Sequence, residues 1–454
     1  MKLKKTLKVF LAALLVMALT GGCVSQYVNI TTEEETAAPT TKAPEPGSTE
    51  APAPSTEADI RGQKLEIWYS LSGASGVLFE ELSKKFSEEY GVEVELSYSG
   101  SYADTASKVS AAMLKGLQPD VVVTGSGQLY SGGEGDFRIG ELLKTTNDFD
   151  TNDIFEGMLD YCDYMGQGIC ALPYGISTQV MYYNKDILKA AGVDMTNPPK
   201  TWAEFYEVCG KVMESAGDNT KLKAFDTYDE AWLFKSMLMQ NGCEIIKNND
   251  GKITPIFNNE KAIEVADYWK SLVDAGYMAS GKHGTAAENA FLGGTLAFVA
   301  SSSNRIARWT GTTTFELGAI IMPSFGSAPS MALGGNVLVL LTQDESKVTA
   351  AWKYMTYMAN VENSTTFALN TGYLPTHKSA LERQEVKDAI ATNEMYSVAF
   401  SQLEYTWAYT SFQEMGTMDS QIKNALQKLE KNRGTAQEVL DTAVKKLQEE
   451  IDDN

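Results

Sequence analysis

Lys64-Leu65-Glu66-Ile67-Trp68-Tyr69 alternates its apolar and polar side chains, so Leu65, Ile67 and Tyr69 share one face of a strand. The period then changes. Leu78, Leu82, Phe86 and Tyr90 recur at i+4 spacing, the apolar stripe of a helix. Val92, Val94, Leu96 and Tyr98 next alternate with Glu93, Glu95 and Ser97, which predicts a half-buried strand. Asp104 to Lys115 reads as a second helix, and Asp120-Val121-Val122-Val123 as a short strand covered on both faces. Strands alternating with helices over residues 64–123 predict a parallel α/β sheet with right-handed crossovers.

The alternation resumes further on. Ala171 to Tyr183 is strand-like around a polar turn, and Thr201-Trp202-Ala203-Glu204 has the spacing of a capping box at a helix start. Asn259 to Gly276 reads as an amphipathic helix with Ile263, Trp269, Leu272 and Val273 near one side. Ala297-Phe298-Val299 and Leu338 to Leu341 are further apolar strands, and Glu345 to Met358 is helical. Thr435-Ala436-Gln437-Glu438 caps a last helix that turns Leu440, Val444, Leu447 and Ile451 inward. Trp232, Trp269 and Trp352 fall in helical patterns, the last two as core residues. A body from about 61 to 454 is long enough for two lobes on one chain.

Ahead of the body the composition changes. Lys2, Lys4, Lys5 and Lys8 precede the short apolar run Val9 to Leu19, and the small residues Thr20-Gly21-Gly22 lead to Cys23. That is the order of a signal peptide over 1–22 that is removed in front of a cysteine. A cysteine at the processing site is the requirement of lipoprotein maturation, so Cys23 is expected to carry a lipid, and with an acylated amine it has two anchoring signals. Residues 27 to 60 hold one basic residue, Lys42, against seven acids, and are otherwise mostly Thr, Ala, Pro and Ser. The stretch 23–60 is therefore predicted to be a disordered tether. The expected location is the outer face of the cytoplasmic membrane, with the protein held by its lipid.

Removing residues 1–22 takes four lysines and no acids, which moves the formal charge from −21 to −25. Such a balance argues against nucleic acid as a partner and against attachment to anionic lipid through a basic patch. Cys162, Cys170, Cys209 and Cys243 form no C-x-x-C pair, and only His283 and His377 offer imidazoles, so no metal site and no cofactor are expected. One or two disulfides and four buried thiols are both open readings of those cysteines. No G-x-S-x-G, H-E-x-x-H or Walker A sequence occurs. The 59 acids make carboxylate pairs unavoidable, which keeps a secreted glycoside hydrolase as an alternative, beside a surface adhesin.

Aromatic and small polar residues gather instead where strands end. Trp68-Tyr69-Ser70, Gly100-Ser101-Tyr102, Thr124-Gly125-Ser126, Gly175-Ile176-Ser177-Thr178, Ser301-Ser302-Ser303-Asn304 and Asn370-Thr371-Gly372-Tyr373 are such clusters. In open α/β sheets ligands sit beyond the carboxyl ends of the strands. A sugar, with an apolar C–H face and a rim of hydroxyls, needs an aromatic platform and several hydrogen-bonding groups.

Lys64 to Ser70, Tyr98-Ser99-Gly100-Ser101-Tyr102, Tyr182-Tyr183-Asn184-Lys185-Asp186, Pro198-Pro199-Lys200-Thr201-Trp202, Ala290-Phe291 to Ala297 and Thr371-Gly372-Tyr373-Leu374-Pro375 resemble, in order, the family 1 extracellular solute-binding proteins of ABC importers. The resemblance spans residues 61 to 454 and is strongest to the branch that includes glycerol-3-phosphate-binding proteins, among maltodextrin and multiple-sugar binders. It implies an α/β fold of two periplasmic-binding-protein-like lobes (type II), three hinge crossings and a ligand in the cleft between the lobes. The crossings are expected near Ile176 to Gln179, Gly293 to Leu296 and Gly334 to Val337. The lobes would be 61–176 plus 291–335, and 177–290 plus 336–454. The ligand-binding positions implied are Tyr102, Ser126, Ser177, Ser303, Gly335 and Tyr373, with Trp232 (or Tyr228) as the stacking surface. Gly335 would offer a backbone N–H made accessible by the missing side chain.

One segment departs from that branch. Where the glycerol-phosphate binders place an arginine, Phe412 to Asp419 contains none, and Asp419 stands at the matching position. A mono- or oligosaccharide is therefore expected as ligand, with glycerol-3-phosphate or another polyol phosphate as the alternative. The implied partners are that carbohydrate, the permease subunits of an ABC importer and the membrane through the lipid, for a monomer without catalysis. Replacing Cys23 by Ser is expected to move the protein from the membrane to the soluble fraction on cell fractionation. Retention equal to the unsubstituted chain would refute the anchor.

Overall fold

The computed structural model describes residues 59–125, 138–326, 330–408 and 411–453. Cys23, the leader expected over 1–22, the expected tether up to residue 58, and Ser126 lie outside the described residues. No helix among those described is long and apolar enough to cross a membrane.

Thirteen strands are described. They are β1 (Lys64–Tyr69), β2 (Glu93–Tyr98), β3 (Val121–Gly125), β4 (Leu172–Ser177), β5 (Gln179–Asn184), β6 (Lys223–Thr227), β7 (Ile246–Asn249), β8 (Lys252–Pro255), β9 (Leu296–Ser302), β10 (Leu317–Ile320), β11 (Met331–Ala332), β12 (Gly334–Leu340) and β13 (Thr406–Trp407). One sheet has the order β2-β1-β3-β12-β4 and a second β10-β5-β9-β6. In the first sheet β1 runs parallel to β2 and β3, as the strand–helix alternation predicts, while β12 lies antiparallel between β3 and β4. In the second, β9 is parallel to β6 and antiparallel to β5.

Local signals translate directly. Leu65, Ile67 and Tyr69 are buried on one face of β1, and β3 is buried along its whole length. β2 is an edge strand, so its inward face is only partly covered and Tyr98 remains 55% exposed. Thr201 and Glu204 close a capping box on the helix Trp202–Ala216, and a second box, Ser101 with Asp104, starts the helix Tyr102–Met113. Trp269 and Trp352 are core residues, and their ring N–H groups donate to Glu430 and Thr146 at 2.9 and 3.1 Å. β5 alternates between two cores. Val180 and Tyr182 join the one that holds Leu65 and Val122, and Met181 and Tyr183 join the one that holds Trp202 and Trp269. The four described cysteines are buried and form no disulfide with one another.

Two strands correct the expected division of the lobes. β9 lies in the second sheet with β5 and β6, away from residues 61–176. β12 is central in the first sheet, so residues 336–340 belong with β3 and β4. The helices Glu345–Ala359 and Val361–Thr371 also pack on that first sheet. The physical reason is that short runs apolar on both faces, such as Ala297–Val299 and Leu338–Leu341, carry no local mark of their partner.

The crossings shift accordingly. The first is Thr178, the single residue between β4 and β5, as expected. The second joins β10 to β12 through residues 321–333, so Gly334 to Val337 already belongs to the first sheet, and Gly293 to Leu296 merely enters β9. The third, over residues 402–414, leads to the helices Met415–Glu430 and Ala436–Asp453, which pack on the helices Glu230–Gln240 and Glu260–Asp274 of the second lobe.

In that helical layer His283 is buried between two carboxylates, with Nδ1 2.6 Å from Asp226 and Nε2 2.9 Å from Glu430. Burial alone would lower the imidazole pKa, but the hydrogen bonds to Asp226 and Glu430 outweigh it and raise the value from 6.5 to about 10. A raised folded pKa contributes stability that is complete below about pH 6.5 and is lost as pH rises through about 10. Melting temperatures recorded from pH 6 to 10 should therefore fall more steeply for the native chain than for His283→Gln. Parallel slopes would show that the imidazolium is not held in this way.

Candidate functional site

The three crossings run side by side and form the floor of a cleft between the two sheets. Gly334 pairs with Ser177 where β12 meets β4, and β11 runs parallel to β13, with Ala332 opposite Trp407. A cavity of about 1040 Å³ opens there, large enough for several linked sugar rings. Its wall takes Ser70 to Ser75, Tyr98 and Tyr102 from the first lobe, and Tyr228, Asp229 and Trp232 from the second.

The aromatic platform is held from below. Asp229 caps the helix Glu230–Gln240 by accepting the Trp232 N–H at 3.1 Å. The indole N–H donates to the Ala332 carbonyl at 2.8 Å, so the ring is tied to the second crossing. A Cβ on Gly334 would come within 3.0 Å of that ring, and the missing side chain is what lets the indole lie over the floor.

Tyr102 stands at the first turn of its helix, and a Cβ on Gly125 would meet its ring at 2.9 Å. Burial, with the nearby Tyr373 and Tyr161 and the hydrogen bond that Tyr102 donates to Tyr373 adding to it, pushes the Tyr102 hydroxyl well above its ordinary range, so it stays neutral. Tyr373 is 6% exposed, stacks on Phe367 and accepts from the Asn336 amide at 3.2 Å. Gly335 has φ +111°, and a Cβ there would lie 2.1 Å from the Gly175 carbonyl oxygen. Its own carbonyl accepts from the Tyr161 hydroxyl at 3.3 Å.

Charges around the cleft come in pairs. Lys235, one turn beyond Trp232 and buried, donates to Asp419 at 2.6 Å. Arg305 lies 4.9 Å over the Tyr228 ring and donates to Glu288 at 2.7 Å. Lys423 reaches the second carboxylate oxygen of Asp229 at 3.3 Å. Arg308 lines the cleft from an exposed position.

Of the positions expected from sequence, Tyr102, Ser177, Trp232, Gly335 and Tyr373 line this cavity, as does Tyr228. Ser303 does not. It is fully buried and its neighbours Ser302 and Asn304 line the wall instead, as the chain turns at Ser303–Asn304 on leaving β9. Ser126 lies outside the described residues. Tyr161, Lys235, Arg305 and Trp407 also line the cavity and carried no local signal in the sequence.

The profile of the bacterial extracellular solute-binding proteins matches residues 81–394. The chain belongs to that family. It is a solute-binding protein of the kind that serves ABC importers. The sn-glycerol-3-phosphate-binding periplasmic protein UgpB of Escherichia coli K12 is 24% identical over 410 residues, covering 84% of this chain and 91% of that one. Among solved structures, the cyclic α-maltosyl-1,6-maltose binding protein of Arthrobacter globiformis aligns with a TM-score of 0.74 at 18% identity, over 86% of this chain and 99% of its own. UgpB of Mycobacterium tuberculosis, in complex with glycerophosphocholine, aligns with a TM-score of 0.73 at 24% identity, over 86% and 98%. The two-lobe fold of this solute-binding protein is thus that of binding proteins for oligosaccharides and for a glycerophosphodiester alike.

Trp232→Ala and Tyr373→Ala are each expected to weaken ligand binding by about 1–3 kcal/mol, the scale of a lost aromatic contact or buried hydrogen bond. Trp352→Ala should leave binding intact and lower stability by about 3–5 kcal/mol, as truncation of a core aromatic does. Calorimetry alongside thermal melts separates the two effects. Loss of binding in a folded Trp352→Ala protein, with Trp232→Ala unaffected, would misplace the site.

Proposed function

We propose that this solute-binding protein captures a neutral mono- or oligosaccharide outside the cytoplasm and hands it to the permease subunits of an ABC importer. It acts as a monomer, anchored through Cys23, and capture without catalysis is its whole activity. Tyr102, Ser126, Ser177, Ser303, Gly335 and Tyr373 were the contacts expected from sequence. The geometry supports Tyr102, Ser177, Trp232, Gly335 and Tyr373, and favours Ser302 or Asn304 over Ser303.

The observation that carries the reading is the pairing of charge beside an aromatic platform. Trp232, Tyr228, Tyr102 and Tyr373 present ring faces and hydroxyls to one cavity. Lys235 and Arg305, two cations on the cavity wall, each already hold a carboxylate, at 2.6 and 2.7 Å. A phosphate would have to compete with Asp419 for Lys235, whereas sugar hydroxyls can add to the pair, donating to its carboxylate and accepting from its ammonium. Glycerol-3-phosphate or another polyol phosphate is the second reading, favoured by Arg308 on the cleft wall.

Thermal-shift titration with neutral saccharides and with sn-glycerol-3-phosphate distinguishes them. A true ligand at 100 times its Kd should stabilise the protein by about 2.7 kcal/mol. The expected response is to a neutral saccharide. Micromolar binding of the phosphate with no response to any neutral sugar would overturn the assignment.

A further inference from the structure

Gln402 touches all three crossings at once. It is fully buried and stands between the helix Glu394–Ser401 and the short turn Leu403–Tyr405, at the start of the third crossing. Its amide nitrogen donates to the Thr178 hydroxyl at 3.1 Å and to the Gln179 carbonyl at 3.0 Å, both at the first crossing. Its amide oxygen accepts from the Met322 N–H at 3.3 Å, at the start of the second. A primary amide has two N–H donors and one carbonyl, and here both functions are used between strands that are far apart in sequence. The tied segments are also the ones that carry the cleft floor. Ser177 adjoins Thr178, Ala332 and Leu333 end the second crossing with Gly334 and Gly335 next in β12, and Trp407 lies in the third.

We infer that Gln402 is a positioning residue that couples the three crossings, so that the lobes swing as one concerted hinge and the floor keeps its shape as they move. This rests on the reading of the cleft as a capture site between movable lobes. Three untied crossings would each absorb backbone rotation independently, and the lobes would sample many relative orientations. With the tie in place, moving one crossing alone leaves a buried donor or acceptor of Gln402 unpaired, which opposes independent movement.

The test needs no ligand. In the Cys23→Ser protein, spin labels on Glu88→Cys of the first lobe and Glu214→Cys of the second report the inter-lobe distance distribution, the native thiols being buried. Gln402→Met, equal in length but without these hydrogen bonds, should at least double the width of that distribution with an unchanged circular-dichroism spectrum. Thr178→Val, which removes one acceptor only, should broaden it less. A folded Gln402→Met protein with the native width, even one of lower melting temperature, overturns the inference and leaves Gln402 a packing residue. If Gln402→Met does not fold, an unchanged width in Thr178→Val overturns it equally. Failure to find a carbohydrate ligand would sink the functional reading without altering these widths, so the two failures are distinguishable.

Discussion

The contact on which the rest depends is the approach of β12 to β4 at Gly335. No side chain fits there, since a Cβ would come within 2.1 Å of the Gly175 carbonyl oxygen, and the backbone takes a φ of +111° that favours glycine. The pairing register slips immediately afterwards, between Asn336 and Val337. That slip belongs to the strand turn that places Asn336 to hold the Tyr373 hydroxyl, while Tyr161 fastens to the Gly335 carbonyl. A side chain at 335 would part the strands and misplace both tyrosines. Gly335 was expected at the site for its accessible N–H. Its larger role is to let β12 lie against β4 just before the first crossing.

The second organising element is electrostatic. A chain this acidic is expected to repel anions at long range, although salt screens that far field to within about 10 Å. Inside the cleft the balance differs, because Lys235 and Arg305 offset Asp419 and Glu288 locally. The result is a polar wall with little unpaired charge beside the rings, the setting in which many modest hydrogen bonds add up for a hydroxyl-rich molecule.

What the sequence made legible was whatever has a local cause. β1, the two capping boxes and the core positions of Trp269 and Trp352 follow from side-chain period and end signals within a few residues. The platform at Trp232 followed from resemblance rather than periodicity. Three features were hidden because their causes lie far along the chain. Lys235 reads as an ordinary helix cation until Asp419, 184 residues later, comes into contact. The partners of β9 and β12 are chosen by long-range register. The third crossing has neither helical nor strand period, and Gln402 gains its meaning only from bonds to residues 80 to 224 positions away. Ser303 sits behind the cavity wall for a smaller reason, the turn that the chain makes as it leaves β9.

The anchoring of Trp232 also has an optical consequence. Of the seven tryptophans in the chain, Trp202, Trp269, Trp309 and Trp352 are buried and Trp68 is half-buried in β1, whereas Trp232 and Trp407 face the cleft. With its ring N–H held by a carbonyl of the second crossing, Trp232 sits in a fixed orientation at the place where a solute would displace water. The molecule therefore contains its own emission probe, since four of the remaining indoles are shielded in the two cores. A label-free sensor for the captured solute needs no added dye, only the indole that the fold already holds still.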